Sequence, residues 1–316
     1  MKHIVVTGGA GFLGSHLVDK LIQDGEEVTV IDNLFRGQSE NINAHMDNKN
    51  FKLLTDAIQN RQKIEKDLLE ADAVVHFASI SSVFRSITDP EEVNTVNVTG
   101  TINLLNLCVK QDVQKFIFSS SAAVYGGIIN RPMRENDPVY PLSPFAASKI
   151  AGEAYCQAYY ETYSLHTIIL RFWNVYGPRT TKTYRRVNSK FAEAICKKEP
   201  LKITGNGKQT RDFTYVSDAV DAIILALNNK TIKGQTINIG TGKPTTINQL
   251  ANLYKKIGGN PNQEIQHISP KKGDLINSYA DITKAKKTLE YKPKIDLETG
   301  IPKYLEWYKQ YHKQNK

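Results

Sequence analysis

A glycine-rich turn, Thr7-Gly8-Gly9-Ala10-Gly11-Phe12-Leu13-Gly14, stands between an apolar run that reads as a β-strand and a periodic segment that reads as a helix. Glycine at 8, 11 and 14 lets the backbone turn tightly and approach a pyrophosphate, whose charge then sits at the helix N-terminus. Glycines alone say little, because turns collect glycine for structural reasons. Here the strand before, the helix after and an acidic residue closing the next strand, Asp32, occur together. A carboxylate at that place accepts hydrogen bonds from an adenosine ribose 2′-hydroxyl and repels a 2′-phosphate. The chemistry is dinucleotide binding, with NAD favoured over NADP; Arg36 nearby is the feature that pulls the other way.

The elements that must position this turn alternate in type. Strands are predicted over Ile4–Thr7, Val28–Ile31, Phe51–Leu54, Ala73–Phe77, Phe116–Ser119 and Thr167–Leu170, with helical patterns at Phe12–Gln23, Glu91–Val109 and Ala146–Tyr163. Continuous apolar strands separated by helices predict an α/β protein with a Rossmann-type, doubly wound parallel sheet buried on both faces. Beyond Asn174 the spacing predicts helices over Val187–Lys197 and Ser217–Leu227 and one more strand, Thr236–Ile239. Thr246-Ile247-Asn248-Gln249 fits a capping box opening another helix. The expected division is an NAD-binding domain over 1–172, with 213–240 returning to it, and a smaller interleaved substrate lobe from 173–212 and 241–316.

Composition narrows the class. The chain of 316 residues is long enough for a core that needs no staples. Three scattered cysteines, Cys108, Cys156 and Cys196, form no CxxC pair, which speaks against a disulfide framework or a zinc site and fits a reducing cytosol. No signal-like segment precedes the first strand and no run approaches the roughly 18 apolar residues of a membrane span, so a cytoplasmic location without membrane partners is expected. The net charge of +9 raises the question of nucleic acid, but the lysines are dispersed or, as at Lys284 to Lys287 and Lys303 to Lys316, spaced like solvated helix faces. A modest positive field would instead attract a diphosphate-bearing ligand.

The spacing Gly8-x-x-Gly11-x-x-Gly14 resembles that of the extended short-chain dehydrogenases. So do Asp32-Asn33-Leu34, Asp56, His76-Phe77-Ala78, Asn97, Ser119-Ser120-Ser121-Ala122-Ala123-Val124-Tyr125-Gly126, Arg171-Phe172-Trp173-Asn174-Val175-Tyr176-Gly177-Pro178, Gln209-Thr210-Arg211-Asp212-Phe213 and Gly273-Asp274. The resemblance covers nearly the whole chain and is nearest to the UDP-sugar 4-epimerases. It implies oxidation of the sugar at C4 by bound NAD, rotation of the 4-ketosugar, and reduction on its other face. It also implies that Ser121 holds the C4 oxygen and that Lys149 holds the nicotinamide ribose and lowers the pKa of a catalytic tyrosine. By the same resemblance Gly8, Gly11, Phe12, Leu13, Gly14, Asp32, Asn33, Asp56, Ala57, Phe77, Ala78, Asn97 and Lys149 contact NAD. Asn174, Val187, Arg211, Lys271, Asp274 and Ser278, with Ser121, would contact the UDP-sugar. Lys271 stands where the family usually carries an arginine, keeping the charge without the bidentate fork. The family analogy further implies a homodimer through the helices around 94–110 and 146–163.

One position departs from the pattern. Four residues before Lys149 the family has its tyrosine; this chain has Phe145, flanked by Ser143-Pro144 and Ala146-Ala147-Ser148 as the motif requires. Phenylalanine exchanges no proton, and losing an acid–base group costs about 10²–10⁴ in rate. Three accounts are open: an introduced Tyr→Phe change, a natural variant using another acid, with Tyr125 and Tyr140 the nearby tyrosines, or a retired enzyme kept as an NAD- or sugar-nucleotide-binding protein. Retention of Ser121 and Lys149 favours the first.

Ala122-Ala123 after Ser121 lacks the acidic pair of the dehydratases, and Asn174 fits a neutral hexose, although Arg185 and Arg186 keep a carboxylate-bearing sugar open. Ser278, before Tyr279-Ala280-Asp281, resembles a size gate small enough to admit an N-acetyl group. The expected substrates are UDP-glucose/galactose and their N-acetylated forms.

Overall fold

The computed structural model describes residues 1–126, 131–180, 186–270 and 276–314. Eleven strands occur among them: β1 (His3–Thr7), β2 (Glu27–Ile31), β3 (Phe51–Leu54), β4 (Ala73–His76), β5 (Lys115–Ser121), β6 (His166–Phe172), β7 (Leu201–Thr204), β8 (Thr210–Arg211), β9 (Gln235–Ile239), β10 (Thr245–Thr246) and β11 (Ile265–Ile268). Seven of them make the central sheet in the order β3-β2-β1-β4-β5-β6-β9, every pair parallel. The order reverses between β1 and β4, and at such a switch point the connections leave to opposite faces and open a crevice beyond the strand ends.

Apolar runs become buried strands here because both faces are covered. In β1, Ile4 and Val6 join the core shared with Leu17, Val18, Ala219 and Ile223, whereas Val5 faces the core of Leu104, Leu105, Phe116 and Phe118. The first of these cores is continuous with Phe191, Ile195, Leu201, Leu250, Tyr254 and Tyr304 of the C-terminal elements. Those comprise the parallel pair β7–β11, the antiparallel pair β8–β10 and helices Val187–Lys197, Ile247–Ile257, Thr283–Leu289 and Leu297–Gln314. The Thr246–Gln249 capping box is present in both directions.

Several elements differ in detail from expectation. β5 runs to Ser121, two residues further than predicted, because Ser119, Ser120 and Ser121 pair in register with Leu170, Arg171 and Phe172 of β6. The segment expected as one helix over 91–109 is interrupted: Pro90–Asn94 and Gly100–Lys110 are α-helical, but Thr95–Thr99 forms a wider π-helical turn around the buried Asn97. Helix Pro144–Tyr163 starts two residues early, since Ser143 caps it by accepting from the Ala146 N–H at 3.2 Å and Pro144 needs no donor in the first turn. No described helix is long and apolar enough to cross a membrane.

Candidate active site

The crevice at the switch point is a cleft of about 470 Å³. The glycine turn forms its floor, and the backbone there tolerates no side chain. Gly8 has φ +71°, and a Cβ on Gly14 would lie 2.2 Å from the Gly8 carbonyl oxygen. Helix Phe12–Gln23 begins at Gly11 without a side-chain cap, so its first N–H groups and the positive end of its dipole face the cleft. This cradle suits a pyrophosphate.

Asp32 is buried in the wall beside it. Oδ2 accepts from the Ala10 N–H at 3.0 Å and Oδ1 from the Leu34 N–H at 2.9 Å. Burial pushes its carboxyl up, while the two backbone donors pull it back down. Gly8, Gly11, Phe12, Leu13, Gly14, Asp32, Asn33, Asp56, Ala57, Phe77 and Ala78 all line the cleft. Asn97 does not. It lies behind the wall, where Oδ1 accepts from the Ile80 N–H (2.7 Å) and Nδ2 donates to the Ile80 carbonyl (3.1 Å) and the Ser148 hydroxyl (2.9 Å). Its place is to hold the loop after β4 against the helix of Phe145.

At the other end of the cleft, Ser121, Phe145 and Lys149 come together with Ser119, Phe172 and Asn174. Residues four apart share a helix face, so the Phe145 ring and the Lys149 stem lie side by side. Lys149 Nζ donates to the Ser119 carbonyl at 2.8 Å and rests 4.9 Å from the centre of the Phe118 ring. Burial lowers its pKa to about 8, partly offset by the charge of Glu153. Ser121 Oγ accepts from the Ala123 N–H at 3.2 Å, leaving its own proton for another acceptor. No tyrosine or histidine lines this cleft among the described residues.

Neither nearby tyrosine lines this cleft. Tyr125 is buried, donates to Asn238 Oδ1 at 2.7 Å and lies 4.7 Å under the Arg171 guanidinium, with its pKa pushed up to about 12 mainly by burial. Tyr140 is exposed and does not line the cleft.

A smaller hollow adjoins the cleft through Asn174, Val175 and Arg186 and is closed by Tyr176, Val187, Phe213 and Tyr304. Asn174 Nδ2 donates to the Asp212 carbonyl at 3.0 Å, tying the two regions together. Arg211 and Ser278 are brought near this end by pairing of the Asp212 N–H with the Ser278 carbonyl at 3.0 Å, but neither lines the cleft or the hollow. Ser278 is itself buried. Lys271, Asp274, Gly273 and Arg185 lie outside the described residues.

Sequence reasoning missed Phe35, Ile58, Ser79, Ser81, Glu92, Val96 and Phe172 as cleft residues. Phe35, Ile58, Ser79 and Ser81 sit on loops following β2, β3 and β4, Glu92 on helix Pro90–Asn94, Val96 on the π-helical turn and Phe172 at the end of β6, where position depends on how the chain leaves a strand. For Phe35, Ile58, Ser79 and Ser81 the available signal was their place within a few residues of Asp32, Asp56 and Phe77.

A doubly wound sheet with a glycine cradle and an acidic residue at the second strand defines a dinucleotide-binding protein. A family model described as the NAD dependent epimerase/dehydratase family matches residues 4–240, and the chain belongs to that family, with NAD as cofactor. The chain is 40% identical over 97% of its length to a putative UDP-glucose 4-epimerase of Methanocaldococcus jannaschii, covering 98% of that protein. It is 35% identical, over 96% of this chain and 68% of the relative, to UDP-glucuronic acid decarboxylase 1 of Arabidopsis thaliana. A similar solved structure is a tyrosine-to-phenylalanine mutant of UDP-glucuronic acid 4-epimerase from Bacillus cereus, in complex with UDP-4-deoxy-4-fluoro-glucuronic acid and NAD. It has TM-score 0.92 and 32% identity over 98% of this chain and 99% of that one.

Proposed function

We propose that this protein is a UDP-hexose 4-epimerase for UDP-glucose/galactose and their N-acetylated forms, bound to its ligands but nearly idle because position 145 carries no hydroxyl. The observation that supports it is the grouping of Ser121, Lys149 and the Phe145 ring in the same cleft as the glycine cradle. NAD, when bound, supplies the acceptor and donor of the C4 hydride. Gly8, Gly11, Phe12, Leu13 and Gly14 receive the pyrophosphate, Asp32 and Asn33 the adenosine ribose, Asp56 and Ala57 the adenine side, and Phe77 and Ala78 close the wall that Asn97 holds. Lys149 orients the nicotinamide ribose.

Ser121 donates to the C4 oxygen of the sugar. A tyrosine at 145 would take the C4 hydroxyl proton as the carbonyl forms and return it once the ketosugar had turned over. Phe145 leaves that proton without a carrier, because Tyr125 is committed to Asn238 and Tyr140 does not line the cleft. Asn174 and Val187 line the hollow that would take the uridine diphosphate; the family resemblance adds Arg211, Lys271 and Asp274 as its contacts and Ser278 as the gate for an N-acetyl group. The lobe of 173–212 and 241–316 is the sugar-nucleotide half. The same reading makes the protein a cytoplasmic homodimer. It takes Phe145 as an introduced change, which a phenylalanine codon in the encoding gene would refute.

The second reading, a binding protein without turnover, is favoured by Phe145 alone. The Arabidopsis decarboxylase and Arg186 at the junction of cleft and hollow favour a carboxylate-bearing sugar. Incubating the Phe145→Tyr form with UDP-glucose, UDP-N-acetylglucosamine and UDP-glucuronic acid separates these. C4 epimers of the neutral sugars support the proposal, carbon dioxide from the glucuronate overturns it in favour of decarboxylation, and binding without product favours the sensor.

A further inference from the structure

The mouth of the NAD cleft is crossed by a chain of three side chains. Phe35, on the loop after β2, and Glu92, on helix Pro90–Asn94, both line the cleft. Arg85, from helix Val83–Thr88, touches both. Its guanidinium carbon lies 4.8 Å from the centre of the Phe35 ring, and its Nε and Nη2 donate to the two Glu92 oxygens at 2.6 and 2.7 Å. Only arginine can present a face to an aromatic ring and a two-pronged edge to a carboxylate at once. A second, longer tie follows the same path, from Arg36 Nη1 to Ser81 Oγ at 3.4 Å.

β2 and β4 flank β1 in the sheet, so the contact of Arg85 with Phe35 joins the loop after β2 to the segment after β4, the two banks of the crevice that holds the glycine cradle. The Phe35 bank is set by Asp32, which holds the Leu34 N–H while Leu34 adopts φ +56°, a left-handed conformation unusual for leucine. The Glu92 bank is set by Asp89, which caps the helix by accepting from the Glu92 N–H at 3.0 Å. Both banks are thus fixed from below, and Arg85 is exposed enough to swing away.

We infer that Phe35–Arg85–Glu92 is a strap that must open for NAD to enter or leave, making Arg85 a positioning residue for cofactor retention. It rests on NAD as the cofactor and is independent of the sugar chemistry. A strap that acts as a gate slows capture and release together; a group that only contacts NAD slows release alone. Two exposed contacts of this kind give an effect of about five- to tenfold.

The test is stopped-flow fluorescence with NADH, with release followed on displacement by excess NAD, in the full chain and in Arg85→Ala and Glu92→Gln forms. Arg85 lies on the surface, so the fold should survive its removal. Expected is a rise of about five- to tenfold in both rate constants for Arg85→Ala, with the dissociation constant changed less than twofold and the double variant no faster than Arg85→Ala. Unchanged rates, faster release with unchanged capture, or additive effects in the double variant would overturn the strap. Loss of epimerase activity in the Phe145→Tyr form would not bear on it.

Discussion

Lys149 and Glu153 stand one turn apart on helix Pro144–Tyr163 and are tied to consecutive residues of β5, Lys149 Nζ to the Ser119 carbonyl and Glu153 Oε1 to the Ser120 hydroxyl. Ser121 is the next residue of that strand. Arg171, paired in register with Ser120, closes the arrangement with a two-pronged ion pair to Glu153 at 2.9 and 2.6 Å. The helix face bearing Phe145 is therefore locked to the strand end bearing Ser121 by buried polar contacts.

Removing one member of that lock exposes its cost. Glu153→Ala leaves the buried Arg171 guanidinium without its carboxylate partner, which should destabilise the fold by roughly 3–5 kcal/mol. Glu193→Ala, which breaks the exposed Lys197–Glu193 pair, should cost at most about 1 kcal/mol. Urea unfolding of the two variants compares them directly, and equal costs would contradict the account.

Lys149 carries a penalty of the opposite kind. Its folded pKa of about 8 lies below the ordinary 10.5, so burying the charged ammonium disfavours the fold below pH 8, and stability rises as pH climbs from about 8 toward 10.5. Lys149→Met should gain roughly 1–2 kcal/mol at pH 7, after allowing for the lost bond to Ser119, and should flatten stability against pH over that interval. Denaturant melts at pH 7 and pH 10 measure both effects.

The proposed size gate sits in a buried place. In the Phe145→Tyr background, Ser278→Tyr should remove turnover of N-acetylated sugars while sparing UDP-glucose. The check is the ratio of kcat/KM for the two substrates. Equal loss of both would mean that the added ring overpacks the interior near Asp212 and selects nothing.

How much of this was legible depends on where the determinant lies. The seven-stranded sheet and the glycine cradle could be read because Ile4 to Gly14 encode strand, turn and helix locally. Gly14 in particular is dictated by contact with Gly8, six residues away. Phe145 was legible as an anomaly because one helical turn fixes its relation to Lys149. The π-helical turn was not, since Asn97 is drawn inward by the backbone of Ile80 and the hydroxyl of Ser148, partners that periodicity does not reveal. The weak strands β7, β8, β10 and β11 were missed because each is four residues or fewer and paired only with another short strand. Among the described residues of the lysine-rich tail, Lys303 and Lys309 are exposed on helix Leu297–Gln314, which the lysine spacing predicts, and Pro302 lies inside that helix. The link from Phe35 through Arg85 to Glu92 joins residues whose proximity arises only when β2 and β4 flank β1.

The most direct measurement compares this protein with its Phe145→Tyr form, following the anomeric protons of UDP-glucose and UDP-N-acetylglucosamine by NMR. The account predicts C4 epimer from the tyrosine form at a rate about 10²–10⁴ above that of the phenylalanine form, with similar affinity for the sugar nucleotide in both. Equal rates in the two forms, or no epimer from the tyrosine form although the sugar binds, would contradict it.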